Sequence, residues 1–182
     1  MDTILKINTQ SLDDKLVKTL HEKYGNAALE IKVIGTHEQD WMNDSLFWEL
    51  MELLDWEAKS DDKIIEPLIV NLSNLPVQYI YGFQDILAEK LFDLDTKIIA
   101  NHYVNDLETL SSDDFLYARC CVVANGIEAF TTVIENPKLM PDVTFEPLLE
   151  IASKAYKIKT GNEFDYIPAM NFETRSNKEA WL

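Results

Sequence analysis

Arg119 is a charged residue with apolar residues close to it on both sides in the sequence. It lies between Ala118 and Cys120, and it is the only lysine or arginine between Lys97 and Lys138. An arginine carried into an apolar interior must find a carboxylate, backbone carbonyls or a bound anion, because an unpaired buried charge is costly. We therefore consider two roles for Arg119, a structural ion pair with one of the acids and an anion- or partner-binding site.

Cysteine and histidine side chains offer a second kind of chemistry, at a zinc site or a catalytic thiol. The candidates are His102, Cys120 and Cys121. Their spacing fits no compact ligand motif, so we expect no metal and no cofactor. Adjacent cysteines in a helix are poorly placed to pair with one another, which predicts two reduced, buried thiols in a cytoplasmic protein.

Three pairs of adjacent aspartates could serve acid–base or Mg²⁺ chemistry. They are Asp13 with Asp14, Asp61 with Asp62, and Asp113 with Asp114. Each pair falls at a predicted helix start, where negative charge compensates the helix dipole, and we favour that role. The sequence also lacks a glycine-rich phosphate loop, a G-x-S-x-G elbow and an H-E-x-x-H motif. We therefore predict no catalytic residue and favour a protein that is not an enzyme.

The helix that carries Arg119 has both of its ends marked in the sequence. Ser111 and Ser112 can cap its start, and Gly126 supplies the left-handed residue that follows a helix end. Apolar residues repeat between these ends at helical spacing, on two adjacent stripes. The stripes contain Phe115, Ala118 and Val122, and Leu116, Cys120 and Val123. A helix that is apolar on most sides lies inside a protein, which predicts that Arg119 is buried.

Helical spacing also organises the rest of the chain after residue 43. The predicted helices begin at Asp44 or Ser45, at Asp61 and at Val77, with residues 98–103 as an extension or a separate helix, followed by 127–134 and by 145–156 capped by Thr144. Pro67 lies inside the second helix and should kink it or delay its start. Beyond Gly161 the helical period is lost, which predicts an irregular tail.

The N-terminal residues follow a different pattern. Residues 3–7 and 29–33 are short runs that are β-branched or alternate apolar with charged residues, and an amphipathic helix that begins near Ser11 lies between them. This order predicts a β-α-β unit. Because two strands alone are marginal, their exposed edges predict a homo-oligomer, a dimer formed through the N-terminal strands.

These patterns predict three parts of the chain. Residues 1–35 form the N-terminal β-α-β unit, residues 36–43 form a linker, and residues 44–182 form a helical domain with an irregular C-terminal tail. The expected fold class is α+β overall. It is mainly α, an array of about six helices with a small β-α-β unit at its N-terminus.

The composition excludes some classes of partner. The net charge is −16, and residues 1–35 carry five lysines and five acids, so the whole excess of negative charge lies on the rest of the chain. This acidity repels nucleic acids and anionic membrane surfaces, so we expect neither as a partner. No apolar run approaches the roughly 20 residues that cross a bilayer. The first residues lack the pattern of a secretion signal, which favours a cytoplasmic location.

A series of motifs follows from residue 44 to residue 160. They are residues 46–50, residues 83–94, Ser112-Asp113-Asp114-Phe115-x-Tyr117-x-Arg119 with Asn125-Gly126, Asn136-Pro137-x-Leu139, and Ala155-Tyr156. In this order the motifs resemble the DUF4240 family, a bacterial domain of unknown function that also occurs in proteins labelled molybdenum-metabolism regulators or beside WGR modules. The resemblance implies a helical domain and an intracellular bacterial origin, and it brings no established reaction.

The resemblance also assigns family positions to particular residues. The family's Phe-Trp pair falls on Phe47 and Trp48, its helix start on Ser112, Asp113, Asp114 and Phe115, and its arginine on Arg119. This sequence departs from many members in having Asp114 directly before Phe115 and in having Ile127 where they carry arginine. The second departure removes a positive charge next to Gly126, which weakens the interpretation of an anion site.

Two functions are compatible with these observations. The acidic body and the absence of a catalytic constellation favour an uncharacterised non-enzymatic interaction or regulatory domain, with an antitoxin- or immunity-like protein as its specific form. The alternative is a small-molecule or anion-binding domain, with an enzyme as one form of it, centred on Arg119 and on the pair of Asp113 and Asp114. The candidate ligand- or partner-binding residues are Arg119, Asp113, Asp114, Tyr117 and Trp48.

Overall fold

Helices make up all the regular structure in the two stretches that the computed structural model describes, residues 14–25 and 42–182. The first stretch holds α1 (Asp14–Tyr24). The second holds α2 (Asp44–Met51), α3 (Asp61–Asn74), α4 (Val77–Asp93), α5 (Lys97–Tyr103), α6 (Ser112–Ala124), α7 (Gly126–Glu135) and α8 (Ile151–Thr160), with short 3-10 turns at Leu107–Thr109, Pro137–Leu139, Glu146–Glu150 and Lys178–Trp181. None of the helices in these stretches is both long and apolar enough to cross a membrane.

The expected α+β class is wrong, because these two stretches contain eight α-helices and no strand. The expected strands at residues 3–7 and 29–33 lie outside the described residues, and α1 is the helix expected between them. Short apolar runs do not by themselves distinguish a strand from other structures. The sequence pattern was therefore insufficient evidence for a β-α-β unit. The dimer expected through the edges of those strands is wrong for the same reason, since it depended on a sheet.

Helix α4 organises the larger of the two units into which the chain divides, residues 37–182. It contacts α2, α3, α6 and α8. The ring of Phe83 on α4 lies 5.2 Å from the ring of Phe47 on α2, and both side chains are fully buried. A Cβ atom at Gly82 would lie 2.6 Å from the Cβ of Met42, so glycine permits this close approach to α4.

Capping residues set several of the helix boundaries. The side chain of Asn43 accepts a hydrogen bond from the backbone N–H of Leu46 at 2.9 Å, and Thr96 accepts one from Ile99 at 3.1 Å. The second cap makes α5 a separate helix that follows α4. Helix α3 begins at Asp61 and continues through Pro67, so the delayed start considered from the sequence is not observed.

The last predicted helix begins later than its sequence pattern indicates. A 3-10 turn at Glu146–Glu150 precedes α8, and Thr144 does not cap it. The backbone N–H of Phe145 donates instead to the carbonyl of Tyr117 at 2.9 Å, which fixes this segment against α6. Helix α8 ends at Gly161, whose φ of 75° is left-handed. We call residues 161–182, which follow α8, the C-terminal segment.

Candidate functional site

Helix α6 holds Arg119 and the candidate aspartates, and its caps are those of the predicted helix. The Oγ of Ser111 accepts from the backbone N–H of Asp114 at 3.2 Å. At the other end Asn125 donates from Nδ2 to the carbonyl of Cys121 at 2.8 Å. Gly126 follows with a φ of 88° and begins α7, so it turns the chain where the sequence predicts. Contacts with α4, α7 and the 3-10 turn before α8 hold α6 in the core.

Arg119 is fully buried, as its surroundings in the sequence predict. Its Nη1 donates to the carbonyl of Leu91 on α4 at 2.6 Å and to the carbonyl of Phe172 at 3.1 Å. Its Nη2 donates to the Oγ1 of Thr174 at 2.9 Å. Two of these three acceptors belong to the C-terminal segment, so this segment covers the guanidinium with the chain's own oxygens.

Two further contacts describe the environment of the guanidinium. The Cζ of Arg119 lies 5.0 Å from the centroid of the Phe115 ring, a cation–π distance. Its Nε is buried and has no hydrogen-bond partner among the described residues. Burial lowers the pKa of Arg119, and the negative charge of Asp95 opposes that shift. No carboxylate in the described stretches forms a salt bridge with it, so carbonyl and hydroxyl oxygens take the place of the expected ion pair.

Asp95 is the second fully buried charge, and it lies just after α4. Its Oδ1 accepts from the backbone N–H of Arg175 and from the Nε1 of Trp181, each at 3.0 Å. Its Oδ2 accepts from the backbone N–H of Asn177 at 3.0 Å and from the Oγ of Ser176 at 3.3 Å. Several donors from one short stretch of the chain therefore surround this buried carboxylate and satisfy it with hydrogen bonds.

The C-terminal segment is thus held by both fully buried charges and by further hydrogen bonds. The hydroxyl of Tyr166 donates to Asp85 of α4 at 2.6 Å. The hydroxyl of Thr174 donates to the carbonyl of Ser112 at 2.7 Å, which fixes the segment to the start of α6. Arg175 adopts a left-handed φ of 70°, which is unusual for a residue with a side chain. The hydrogen bond from its N–H to Asp95 stabilises this conformation.

The candidate residues Asp113, Asp114 and Tyr117 lie together at the start of α6. We define the acidic α6 surface as Asp113, Asp114, Tyr117, Asp142 and Glu146. Asp113 and Asp114 are exposed, and neither forms a salt bridge within the described residues. Burial raises the pKa of Tyr117, with a hydrogen bond to Glu146 and the charge of Asp113 acting in the same direction. The carboxylates of Glu146 and Asp113 are therefore near enough to the Tyr117 phenol to act on its charge.

Tyr103 lies at the edge of the same surface. Its hydroxyl donates to the backbone carbonyl of Asp114 at 3.3 Å. Burial raises the pKa of Tyr103, and the charges of Asp114 and Asp142 add to the shift. Neutral tyrosines therefore lie beside exposed carboxylates here, which gives the surface apolar area as well as charge.

The structure does not bring Trp48 to this surface. Its side chain is 8% exposed and belongs to the core. The centroid of its ring lies 5.0 Å from that of Phe47, in an edge-on arrangement, and 5.5 Å from that of Phe130 on α7. These distances are typical of packed aromatic pairs, so Trp48 contributes contacts between α2 and α7.

The cysteines lie in the interior of α6 as free thiols. Burial raises the pKa of Cys120 to about 12 and also raises that of Cys121. A thiol that stays protonated is a poor nucleophile and a poor metal ligand. In residues 14–25 and 42–182, no three His, Cys, Asp or Glu side chains are grouped to hold a metal ion.

Sequence reasoning missed Asp95 and the residues of the C-terminal segment that contact the buried charges. Phe172 and Thr174 are 53 and 55 residues from Arg119 in the sequence. No local periodicity connects positions so far apart. The one available signal was the composition around Asp95, a carboxylate that directly follows Leu94 at the end of a long apolar helix.

The fold and the site define an all-helical domain, over residues 42–182, with two fully buried charges and an acidic exposed helix start. Residues 42–173 match the family described as "Protein of unknown function (DUF4240)", and the chain belongs to this family. The match includes Arg119 and Asp95, and it ends just before the loop that surrounds Asp95. No curated protein and no solved structure matches the chain.

Proposed function

We propose that this protein is a non-enzymatic interaction or regulatory domain that binds a positively charged protein partner through the acidic α6 surface. The observation that carries the proposal is a contrast within α6. The three hydrogen bonds that Arg119 donates all go to oxygen atoms of the protein itself. The carboxylates of Asp113 and Asp114 face outward and form no salt bridge within the described residues. The exposed charges are therefore the ones free to meet a partner.

The overall charge supports a basic partner. At a net charge of −16, the protein attracts cationic surfaces and repels anionic ones, which speeds association with the former. Tyr103 and Tyr117 add partly buried aromatic area beside the carboxylates, and tyrosine is enriched in protein interfaces. Charge thus supplies the long-range attraction, and the tyrosines supply short-range contact.

An antitoxin- or immunity-like role is the specific form of this proposal. An acidic protein of this kind would bind and cover a basic surface of its partner. The buried, reduced thiols of Cys120 and Cys121 support a cytoplasmic setting. The resemblance to the family supports a bacterial origin.

The alternative function, a small-molecule or anion-binding domain centred on Arg119, is disfavoured by the surroundings of the guanidinium. Two surface pockets, one beside Ile127 and Thr131 on α7 and one between α3 and α8, are lined neither by Arg119 nor by the acidic α6 surface. Three hydrogen bonds already occupy the terminal nitrogens of the guanidinium. An anion would have to displace Phe172 and Thr174 before it could reach them.

Affinity capture from extract of the native cell tests the proposal. The bait is the full chain, compared at low and at high salt with the double variant Asp113→Asn and Asp114→Asn. We expect a basic protein to be captured at low salt and lost at high salt, because salt screens the attraction between exposed charges. The amount of this protein captured at low salt should be about threefold to tenfold lower with the double variant, as expected when exposed interface charges are removed.

A second double variant controls for net charge alone. Glu128→Gln and Glu135→Gln on α7 also remove two negative charges from exposed positions, but away from the acidic α6 surface. Capture should be unchanged with this control. Absence of any captured protein at either salt concentration, or an equal loss with both double variants, would contradict the proposed surface.

A further inference from the structure

A shallow groove of about 350 Å³ lies between α3 and α8. We define the α3–α8 groove by the residues that line it, which are Asp62, Glu66, Ile69, Val70, Lys154, Lys157 and Ile158. Its apolar centre is exposed: the side chains of Val70 and Ile158 are 49% and 62% accessible to solvent. Two exposed branched side chains beside one groove form an apolar surface that no other part of residues 42–182 covers.

The charges of the groove are arranged on opposite walls. The α3 wall carries Asp62 and Glu66, and the α8 wall carries Lys154 and Lys157. Lys154 contacts Asp62 across the groove at 2.7 Å, and Lys157 contacts Glu163 at 2.6 Å. All of these side chains are at least 38% exposed, and ion pairs of that kind contribute little to stability. The charges can therefore exchange partners at small cost.

We propose that the α3–α8 groove is a docking surface for a second copy of this chain. A two-fold axis that runs along the groove lays α3 of each copy over α8 of the other. Each acidic wall then faces a basic wall, and the exposed Val70 and Ile158 of both copies meet in the centre. The groove is thus complementary to itself in charge and in apolar character.

The charge of the rest of the chain makes this face the favourable one for self-association. Helices α3 and α8 together carry four lysines (Lys63, Lys154, Lys157 and Lys159) and three acids (Asp61, Asp62 and Glu66). Their sum is +1, whereas the whole chain has a net charge of −16. Two copies that approach through strongly acidic faces repel one another, and a near-neutral face avoids that repulsion. The surface uses none of the residues in which N-terminal strands were expected.

Sedimentation equilibrium of the full chain over a concentration series tests the proposal. We expect a reversible dimer whose dissociation constant rises at least about tenfold in Ile158→Asp, because the substitution removes apolar area and buries a charge. Ile127→Asp on α7 is the matched control, since Ile127 is also exposed, at 52%, and lies outside the groove. It should leave the dimer unchanged. Thermal unfolding of each variant checks that it folds.

A charge exchange tests the two-fold arrangement itself. Lys157→Glu and Glu66→Lys should each weaken the dimer, because each variant places like charges opposite one another. An equimolar mixture of these two variants should form a heterodimer at the wild-type affinity, since both opposed pairs are then attractive. A mixture that gains no heterodimer overturns the arrangement. A wild-type chain that stays monomeric at every concentration overturns the proposal and leaves the groove to a different occupant or to none.

Discussion

Helix α6 carries two charges of opposite sign in different surroundings, Asp113 in its first turn and Arg119 in its middle. Asp113 and Arg119 lie within about two helical turns of one another. Asp113 is exposed and forms no salt bridge among the described residues, whereas Arg119 is fully buried and donates three hydrogen bonds. The charge of a residue therefore does not reveal its role; its contacts do. The buried middle of α6 holds the domain together, and the exposed first turn is free to meet another molecule.

The largest expected effect comes from removing the buried positive charge. Arg119→Met should lower the free energy of unfolding by about 3–5 kcal/mol, because the carbonyls of Leu91 and Phe172 lose their donor and Asp95 loses a compensating charge. Urea unfolding followed by circular dichroism measures the loss. Lys138→Met, at an exposed position, is the control and should change stability by less than about 0.5 kcal/mol. A loss of similar size in both variants would mean that the buried contacts of Arg119 have no structural role.

A smaller effect is expected at the other buried charge. Asp95→Asn should lower stability by about 2–3 kcal/mol, because a neutral amide accepts fewer and weaker hydrogen bonds than the carboxylate that Arg175 and Asn177 contact. The C-terminal segment should also become more accessible. Limited proteolysis should then cut the variant after Arg175 or Lys178 faster than the wild type. Equal cleavage rates would contradict the claim that Asp95 holds this segment.

The smallest effect is a dependence of stability on alkaline pH. Burial, followed by the hydrogen bond to Asp85, raises the pKa of Tyr166 to about 12 from its ordinary value of 10.0. The unfolded chain therefore loses this proton first. The stability contributed by the neutral phenol is complete below pH 10 and is lost as the pH rises to about 12.

Tyr166→Phe isolates this contribution. The variant should be less stable near neutral pH by about 1 kcal/mol or less, and the difference from the wild type should shrink through the same alkaline window. Urea unfolding at a series of pH values measures it. A difference that stays constant up to pH 12 would contradict the raised pKa.

The sequence was sufficient to predict α6 because its signals are local. Ser111, Asp113 and Gly126 mark the ends of the helix, and the apolar residues on either side of Arg119 predict its burial. The partners of Arg119 could not be predicted in this way. Phe172 and Thr174 belong to a segment without periodicity, and only the packing of the whole domain brings them to α6.

The N-terminal prediction failed for a related reason. That prediction is the α+β class, which rested on two five-residue runs, residues 3–7 and 29–33, that lie outside the described residues. Runs of that length do not determine a conformation without their neighbours in space. Trp48 is a similar case, since an aromatic residue at helical spacing fits both a binding surface and a core. Its contacts with Phe47 and Phe130 are what assign it to the core.

The most direct test of the account is the unfolding free energy of the wild type and of Arg119→Lys, each measured across a titration with inorganic phosphate. Lysine keeps the charge but cannot reproduce the forked hydrogen bonds to Leu91, Phe172 and Thr174. The account predicts that the variant is less stable by about 1–3 kcal/mol and that this difference is the same at every phosphate concentration. A difference that grows with phosphate and saturates would mean that Arg119 binds an anion, and would contradict the account.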